Sequence, residues 1–232
     1  MNRVILDTET ANTLEEPLVY DFGYVIVDSK WRILAQRRVI VAETWHTDGL
    51  MESAYYAKKL PAYRAMVEAG TLEVKSFFEI WREFSKTCRD LKVKEVWAHN
   101  ASFDRHALNN TIRTYSNGFC RYFVPYGMKW RCTQALAAST ICQLHKYFSY
   151  CVKNDLLTSR GNVPTTAEAI YGFITDNPSF IEAHTALDDA LIELEILKAG
   201  KRRKCKIDQQ TPSRYAWKRP QKKFQAWQKK IA

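Results

Sequence analysis

The chain has 232 residues, 46% of them hydrophobic, enough to bury the core of one ordinary domain plus an extension, and no apolar run nears the roughly 20 residues of a membrane-spanning helix. Six cysteines (Cys88, Cys120, Cys132, Cys142, Cys151, Cys205) show neither a CxxC pair nor Cys/His zinc spacing, which argues against a disulfide framework and against a zinc site. The net charge of +10 is concentrated at one end: residues 201–232 hold twelve Lys or Arg and one acid, Asp208, whereas the first 200 residues hold 23 basic and 24 acidic groups, so a polyanionic partner is expected, nucleic acid and not membrane.

The chain enters at once a buried strand, Arg3 to Asp7, without a basic-then-apolar signal, and a soluble, cytoplasmic protein is expected. Asp7 and Glu9 follow at i and i+2. In a strand such positions project from one side about 7 Å apart, and two carboxylates there repel unless a cation sits between them or one takes up a proton. A pair that merely opens a solvated turn is the competing reading. Phe22 to Asp28 and Arg32 to Val41 read as two more strands, and the short connections favour antiparallel neighbours.

Met51 to Gly70 reads as helix interrupted at Pro61. Ser76 to Leu91 reads as an amphipathic helix with Phe77, Ile80, Trp81, Phe84, Cys88 and Leu91 on one side. A short strand at Glu95 to Ala98 leads into a helix from Ser102 to Tyr115, with Asp104 in its first turn, where the helix dipole alone would favour an acid. Lys129 to Cys132 reads as a last short strand feeding one helix through Thr133 to Tyr150, and Thr166 to Ile174 and Thr185 to Ala199 complete the helices. Three antiparallel strands followed by strands alternating with helices give an α/β protein, a mixed sheet covered by helices.

The last helix separates two neighbouring acids. Thr185 and Asp188 have capping-box spacing, so the helix starts near Ala186 with His184 just outside it. Asp188 shares its stripe with Glu195, whereas Asp189 shares one with Ile192 and Ile196 and faces inward. A carboxylate aimed at apolar surroundings requires a partner. Asp7, Glu9, Asp104 and Asp189 all fall at strand ends or helix starts, where topology gathers loops, and four converging carboxylates call for divalent magnesium or manganese.

The segments Asp7-Thr8-Glu9-Thr10, Asn100-x-x-Phe103-Asp104 and His184-x-x-x-x-Asp189 resemble, in order and spacing, the three motifs of the DEDDh 3′-5′ exonucleases, the DnaQ-like family that includes the proofreading subunit of bacterial DNA polymerase III. The resemblance covers about residues 3–198, though 42–70 and the tail are not family-defining. It implies a ribonuclease-H-like fold with a five-stranded mixed sheet in the order 3-2-1-4-5, strand 2 antiparallel. It also implies two metal ions, Mg²⁺ or Mn²⁺, held by Asp7, Glu9, Asp104 and Asp189. Asp7 would bridge the ions, Asp104 would act through water and His184 would be the general base. Thr8 to Thr10, Asn100 and Phe103 would receive the terminal nucleotide. Thr185, four before Asp189, excludes the tyrosine variant of the superfamily. The implied activity is hydrolysis from the 3′ end of single-stranded nucleic acid, DNA favoured, to nucleoside 5′-monophosphates. An RNA-trimming enzyme and a non-catalytic nucleic-acid-binding or polymerase-accessory module are the alternatives.

Residues 1–199 would form the exonuclease domain and 200–232 a basic aromatic tail. In the tail, Tyr215, Trp217, Phe224 and Trp227 alternate with Lys and Arg. Cations on phosphates with rings stacked on bases would make a single-strand clamp. Alternatively Phe224, Trp227 and Ile231 form one apolar helical face that docks on the body or on a polymerase or other replication protein. Docking is favoured for the aromatics and nucleic acid for the cations.

Overall fold

The computed structural model describes residues 1–202 and 216–231. Its strands are β1 (Asn2–Ala11), β2 (Leu18–Val27), β3 (Ile33–Val41), β4 (Val74–Lys75), β5 (Val93–Ala98) and β6 (Lys129–Cys132). Its helices are α1 (Ala42–Trp45), α2 (Leu60–Glu68), α3 (Phe77–Asp90), α4 (Ser102–Tyr115), α5 (Thr133–Ser139), α6 (His145–Lys153), α7 (Ala167–Thr175), α8 (Ala186–Lys201) and α9 (Gln221–Ile231). The strands form one mixed sheet in the order β4-β3-β2-β1-β5-β6. Val4, Ile5 and Leu6 are wholly buried in succession, as a strand covered on both faces requires.

The expected five strands keep their order, with one correction: a sixth, β4, pairs in parallel with the end of β3 through Ile40 and Val41. At two residues it is too short to leave a periodicity in the sequence. The first strands are also longer than expected. β1 continues through Glu9 to Ala11, and β2 starts at Leu18, because β1 and β2 stay paired across a register shift between Glu9 and Thr10. Pro61 stands in the first turn of α2 and starts that helix instead of interrupting one, as its missing N–H permits. The single helix expected from Thr133 to Tyr150 is broken into α5, a 3₁₀ turn (Ile141–Gln143) and α6. There the Ser139 and Thr140 hydroxyls donate to the carbonyls of Ala135 and Leu136 at 2.8 and 2.7 Å, competing with the helical ladder, and Gln143 satisfies the carbonyl of Ala138.

The chain forms two compact units. The first comprises Met1–Val96, Phe103–Lys129 and Ala183–Leu191; the second comprises Trp97–Ser102, Trp130–Glu182 and Ile192–Ala232. In the first, alternation along β2 sends Phe22 and Tyr24 to one face, where Phe84 of α3 and Phe123 meet them in edge-to-face contacts at 5.1–5.5 Å. Ser76 and Glu79 close a capping box at the start of α3. The opposite face of β2 presents Gly23 and Asp21 and receives the start of α8. A further cluster of Ala11, Tyr20, Ile40, Leu60 and Tyr63 packs beside it.

The second unit has its own core, with Ile141, Tyr147, Phe148, Ile170 and Ile196 at its centre. The C-terminal helix α9 contributes to it. Phe224 is buried, its ring 5.3 Å from that of Phe148, and Trp227 lies 5.7 Å from Phe148. Gln221 bonds both the N–H and the C=O of Val163, fixing the start of the helix. Phe224 and Trp227 therefore take the docked arrangement and not the base-stacking one, while Lys222, Lys223, Lys229 and Lys230 remain exposed. Tyr215 lies outside the described residues. Among the described residues no helix is long and apolar enough to cross a membrane.

Gly23 sets how closely α8 approaches β2. A Cβ there would lie 2.2 Å from the carbonyl carbon of Ala186 and from the amide nitrogen of Leu187, and both are backbone atoms that cannot rotate away. Gly23→Ala is expected to destabilise the chain by about 1–3 kcal/mol, the range for overpacking, in urea unfolding. An unchanged midpoint would mean that this approach is looser than described.

Candidate active site

The site is assembled by the register of β1 against β2. Asp7 lies opposite Gly23 and Glu9 opposite Asp21, and directly opposed residues of an antiparallel pair share a face. Asp7, Glu9, Asp21 and Gly23 therefore all face the start of α8. Past Glu9 the register shifts, so that Thr10 opposes Val19 and Tyr20 is the extra residue of a bulge. The bulge lets Tyr20 and Asp21, though adjacent in sequence, both reach Tyr63.

Asp21 has no exposed surface. Its carboxylate accepts from Arg38 Nε at 3.0 Å, from the Tyr63 hydroxyl at 2.7 Å and from the backbone N–H of Ala186 at 3.2 Å. The last bond satisfies one of the orphan donors at the start of α8, where a negative charge also meets the favourable end of the helix dipole. Burial raises the Asp21 pKa, while Arg38, Tyr63 and the Ala186 amide draw it back. Sequence reasoning missed Asp21 because it placed the start of the second strand at Phe22.

α8 begins at Ala186, so His184 stands just outside it and Asp188 and Asp189 lie in its first turn, as the sequence indicated. Asp188 is exposed and accepts from the Thr185 hydroxyl at 2.5 Å, whereas Asp189 is buried. Among the described residues, ligand atoms of Glu9, His184 and Asp189 lie within 4.8 Å of one another. Asp7 and Asp104 are not members of that group. Asp7 is half-buried on the same strand face, and Asp104, buried in the first turn of α4, accepts from the Thr8 hydroxyl at 3.0 Å. Of the other expected positions, Thr10 follows the register shift, Phe103 is half-buried and Asn100 belongs to the second unit, where its side chain accepts from Ser102.

The acids are strained electrostatically. Burial pushes the Glu9 pKa up to about 9, with Asp189 and Asp21 adding repulsion and Lys59 opposing it. Asp189 is raised to about 7 by burial and by Asp188, against Lys59 and the His184 backbone amide; Asp104 is raised to about 7 by burial, against its Thr8 hydrogen bond. Asp189 Oδ1 is buried with no hydrogen-bond partner. An orphaned carboxylate oxygen beside a second carboxylate and an imidazole is a donor set that suits a hard divalent cation.

His184 is held by a segment that the motifs do not include. Its ring stacks on Tyr56 at 4.0 Å and 14°, and Tyr56 in turn meets the edge of Tyr55 at 4.9 Å. Lys59 donates to the carbonyl of Ala183 and lies 5.6 Å from the centre of the Tyr56 ring. The His184 backbone is left-handed, with φ of 48°, a conformation that surrounding contacts must maintain in a non-glycine residue. Burial and Lys59 both lower the His184 pKa, favouring the neutral imidazole. Tyr56 and Lys59 left no signal in the sequence beyond an aromatic-basic run, AYYAKK, which reads as part of a helix.

No family model and no curated protein matches the chain. Solved structures do. Cell-death related nuclease 4 is 15% identical over 89% of this chain and 65% of its own, with a TM-score of 0.56. E. coli exonuclease I in complex with a dT13 oligonucleotide is 12% identical over 87% of this chain and 41% of its own, with a TM-score of 0.56. Exonuclease I from Methylocaldum szegediense gives 14%, 88%, 41% and 0.57. The chain thus spans less than two thirds of the length of each of these neighbours. At such identities the likeness is one of architecture, and the architecture agrees with the one implied by the three motifs: this chain has a mixed α/β, ribonuclease-H-like fold, shared with cell-death related nuclease 4 and exonuclease I.

Proposed function

We propose that the chain is a metal-dependent 3′-5′ exonuclease that hydrolyses single-stranded nucleic acid, DNA favoured, to nucleoside 5′-monophosphates. The observation that carries the reading is the convergence of Glu9, Asp189 and His184 on the face of β1 that also presents Asp7. The fold neighbours add support: exonuclease I has been solved with dT13 and in a zinc-bound form with single-stranded DNA.

In this reading Asp7, Glu9 and Asp189 would hold magnesium or manganese, with Asp104, which accepts from the Thr8 hydroxyl, supporting them. A pair of such ions, when bound, lowers the pKa of a water and offsets charge on both the attacking and the leaving oxygen. The chain's own residues do the rest. His184, kept neutral by burial and Lys59, accepts a proton from the attacking water through the ring that Tyr56 positions. Thr8 to Thr10 and Phe103 would contact the terminal nucleotide and select an end over an internal bond. The exposed lysines of α9 contact phosphates, within a basic extension from 200 to 232 that follows an exonuclease domain of 1–199.

Digestion of end-labelled single-stranded DNA and RNA with magnesium, manganese or EDTA tests the activity. Wild type is expected to release mononucleotides from the 3′ end with either metal and none in EDTA, and Asp7→Ala to be inactive. His184→Ala is expected to lose at least about a hundredfold in kcat, the scale of general-base catalysis, with substrate binding nearly intact. Unchanged turnover would remove His184 from the mechanism. Tyr56→Ala, which removes the stacking face, should lower kcat more than it raises KM, and Tyr56→Phe should restore it; a failure of Phe to restore kcat would assign the effect to the hydroxyl.

The raised acids also predict a stability profile. A carboxyl whose folded pKa lies above its unfolded value favours the fold below the unfolded pKa, and that contribution is lost as pH rises through the folded one. With Glu9 at about 9 and Asp189 and Asp104 at about 7, the melting temperature in EDTA should fall between about pH 5 and 9, and magnesium or manganese should restore it most at the alkaline end. Asp189→Asn should melt higher than wild type in EDTA at pH 8 and gain less from metal. Differential scanning fluorimetry across pH reads both, and equal metal gains in wild type and variant would exclude Asp189 as a ligand.

A further inference from the structure

A cavity of about 1280 Å³ belongs to the first unit but not to the acidic site. It is a groove between the outer side of α3, with the turn that follows it, and the segment 120–128. α3 packs over Phe22 and Tyr24, whereas the acids share the face of Gly23 and Asp21, so the sheet separates groove from active site.

Two properties set this groove apart from an ordinary solvated helix side. The first is charge. Arg82, Arg89, Lys92, Lys94 and Arg121 line it, all exposed, and among the described residues none of the five is paired with a carboxylate. Its three acids already have partners: Asp90 pairs with Lys86, itself a groove residue, at 2.6 Å, Glu83 pairs with Lys75, and Glu79 closes the Ser76 capping box with the Arg82 charge also acting on it. The second is aromatic exposure. Tyr126 is fully exposed and Tyr122 is 66% exposed, on the same wall as Arg121. Rings that stand open to water offer free faces on which unpaired bases can stack.

We propose that this groove is a second binding site for single-stranded nucleic acid, holding a strand by its phosphates and stacking its bases on Tyr122 and Tyr126. Unpaired cations that track a groove, interleaved with open rings, are what a single strand requires, and a duplex offers no free base faces to such rings. The proposal draws on the exonuclease reading only for its choice of polyanion. It would retain the body of a long strand while one end is trimmed at a distance, so the site serves long strands and is silent for short ones.

The test is fluorescence anisotropy in EDTA, where no hydrolysis is needed, on wild type, Arg89→Glu/Arg121→Glu and Tyr126→Ala. Tyr126→Ala alters a fully exposed side chain and so leaves folding undisturbed. The probes are oligothymidylates of about four and about thirty nucleotides, bracketing the site sizes of single-strand grooves, with polyglutamate as a non-nucleic polyanion. Expected are a roughly tenfold or greater loss of long-strand affinity in each variant, a salt slope shallower by about 0.7 per lost phosphate contact in the charge variant, and short-strand binding unchanged. Long-strand affinity equal to wild type in both variants would overturn the proposal. So would polyglutamate binding as tightly as the oligonucleotide with the same sensitivity to both variants, which would make the groove a site for acidic polypeptide. Absence of digestion by wild type, with groove binding intact, would count against the exonuclease reading alone.

Discussion

The acidic face of the first unit is arranged around one carboxylate that has no exposed surface. Asp21 joins three elements that are remote in sequence: it takes a guanidinium from β3, a hydroxyl from α2 and a backbone amide from the first turn of α8. A buried charge that lost one of these partners would be left uncompensated, at a cost of several kcal/mol, so the three elements are held together or not at all. Because the amide belongs to Ala186, the bond fixes where α8 begins. His184 and Asp189 are thereby set two residues before and three residues after a fixed point. Gly23, two residues along β2 on the same face, removes the side chain that would keep the helix from reaching that point.

This arrangement concentrates like charge where the fold would otherwise avoid it. Glu9 lies opposite Asp21 and within reach of Asp189, and both Glu9 and Asp189 bind protons more tightly than free carboxylates do. The Lys59 charge opposes the upward shift of both, and Lys59 also donates to the carbonyl of Ala183. A single lysine cannot balance several acids. The remaining imbalance is the physical basis for reading the cluster as a cation site, and it follows the general tendency of functional sites to lower stability locally.

How much of this could be read from the sequence depended on whether a residue's role was set by local periodicity or by pairing. The inward aim of Asp189 and the outward aim of Asp188 follow from the helical repeat alone, and both hold. The common face of Asp7 and Glu9 follows from strand alternation, and it holds as well. Asp21 was not legible, because its position opposite Glu9 depends on a strand start and a bulge that only the β1–β2 register defines. Tyr56 and Lys59 were not legible for a related reason: the run that carries them is broken into 3₁₀ turns (Met51–Ser53 and Ala57–Lys59), and its contacts are with residues more than a hundred positions away. β4 and the break between α5 and α6 escaped because two residues have no period and because the break comes from hydroxyls competing with the helical ladder, without Pro or Gly to mark it.

The period-2 alternation of β2 has a further consequence for how the first unit divides its work. Odd positions 21 and 23 give one face to the acids and the start of α8. Even positions 22 and 24 give the other to α3, along whose outer side the basic, aromatic groove runs. A slip of one residue would exchange the two sets and bury Phe22 among carboxylates, so the register that builds the acidic site also keeps the cations of the groove away from it. That separation matters physically. Five unpaired cations beside Glu9 and Asp189 would neutralise the repulsion between these acids and compete with any divalent ion for them. Held across the sheet, the same cations leave the repulsion within the acidic cluster unrelieved and present their charge on the opposite side.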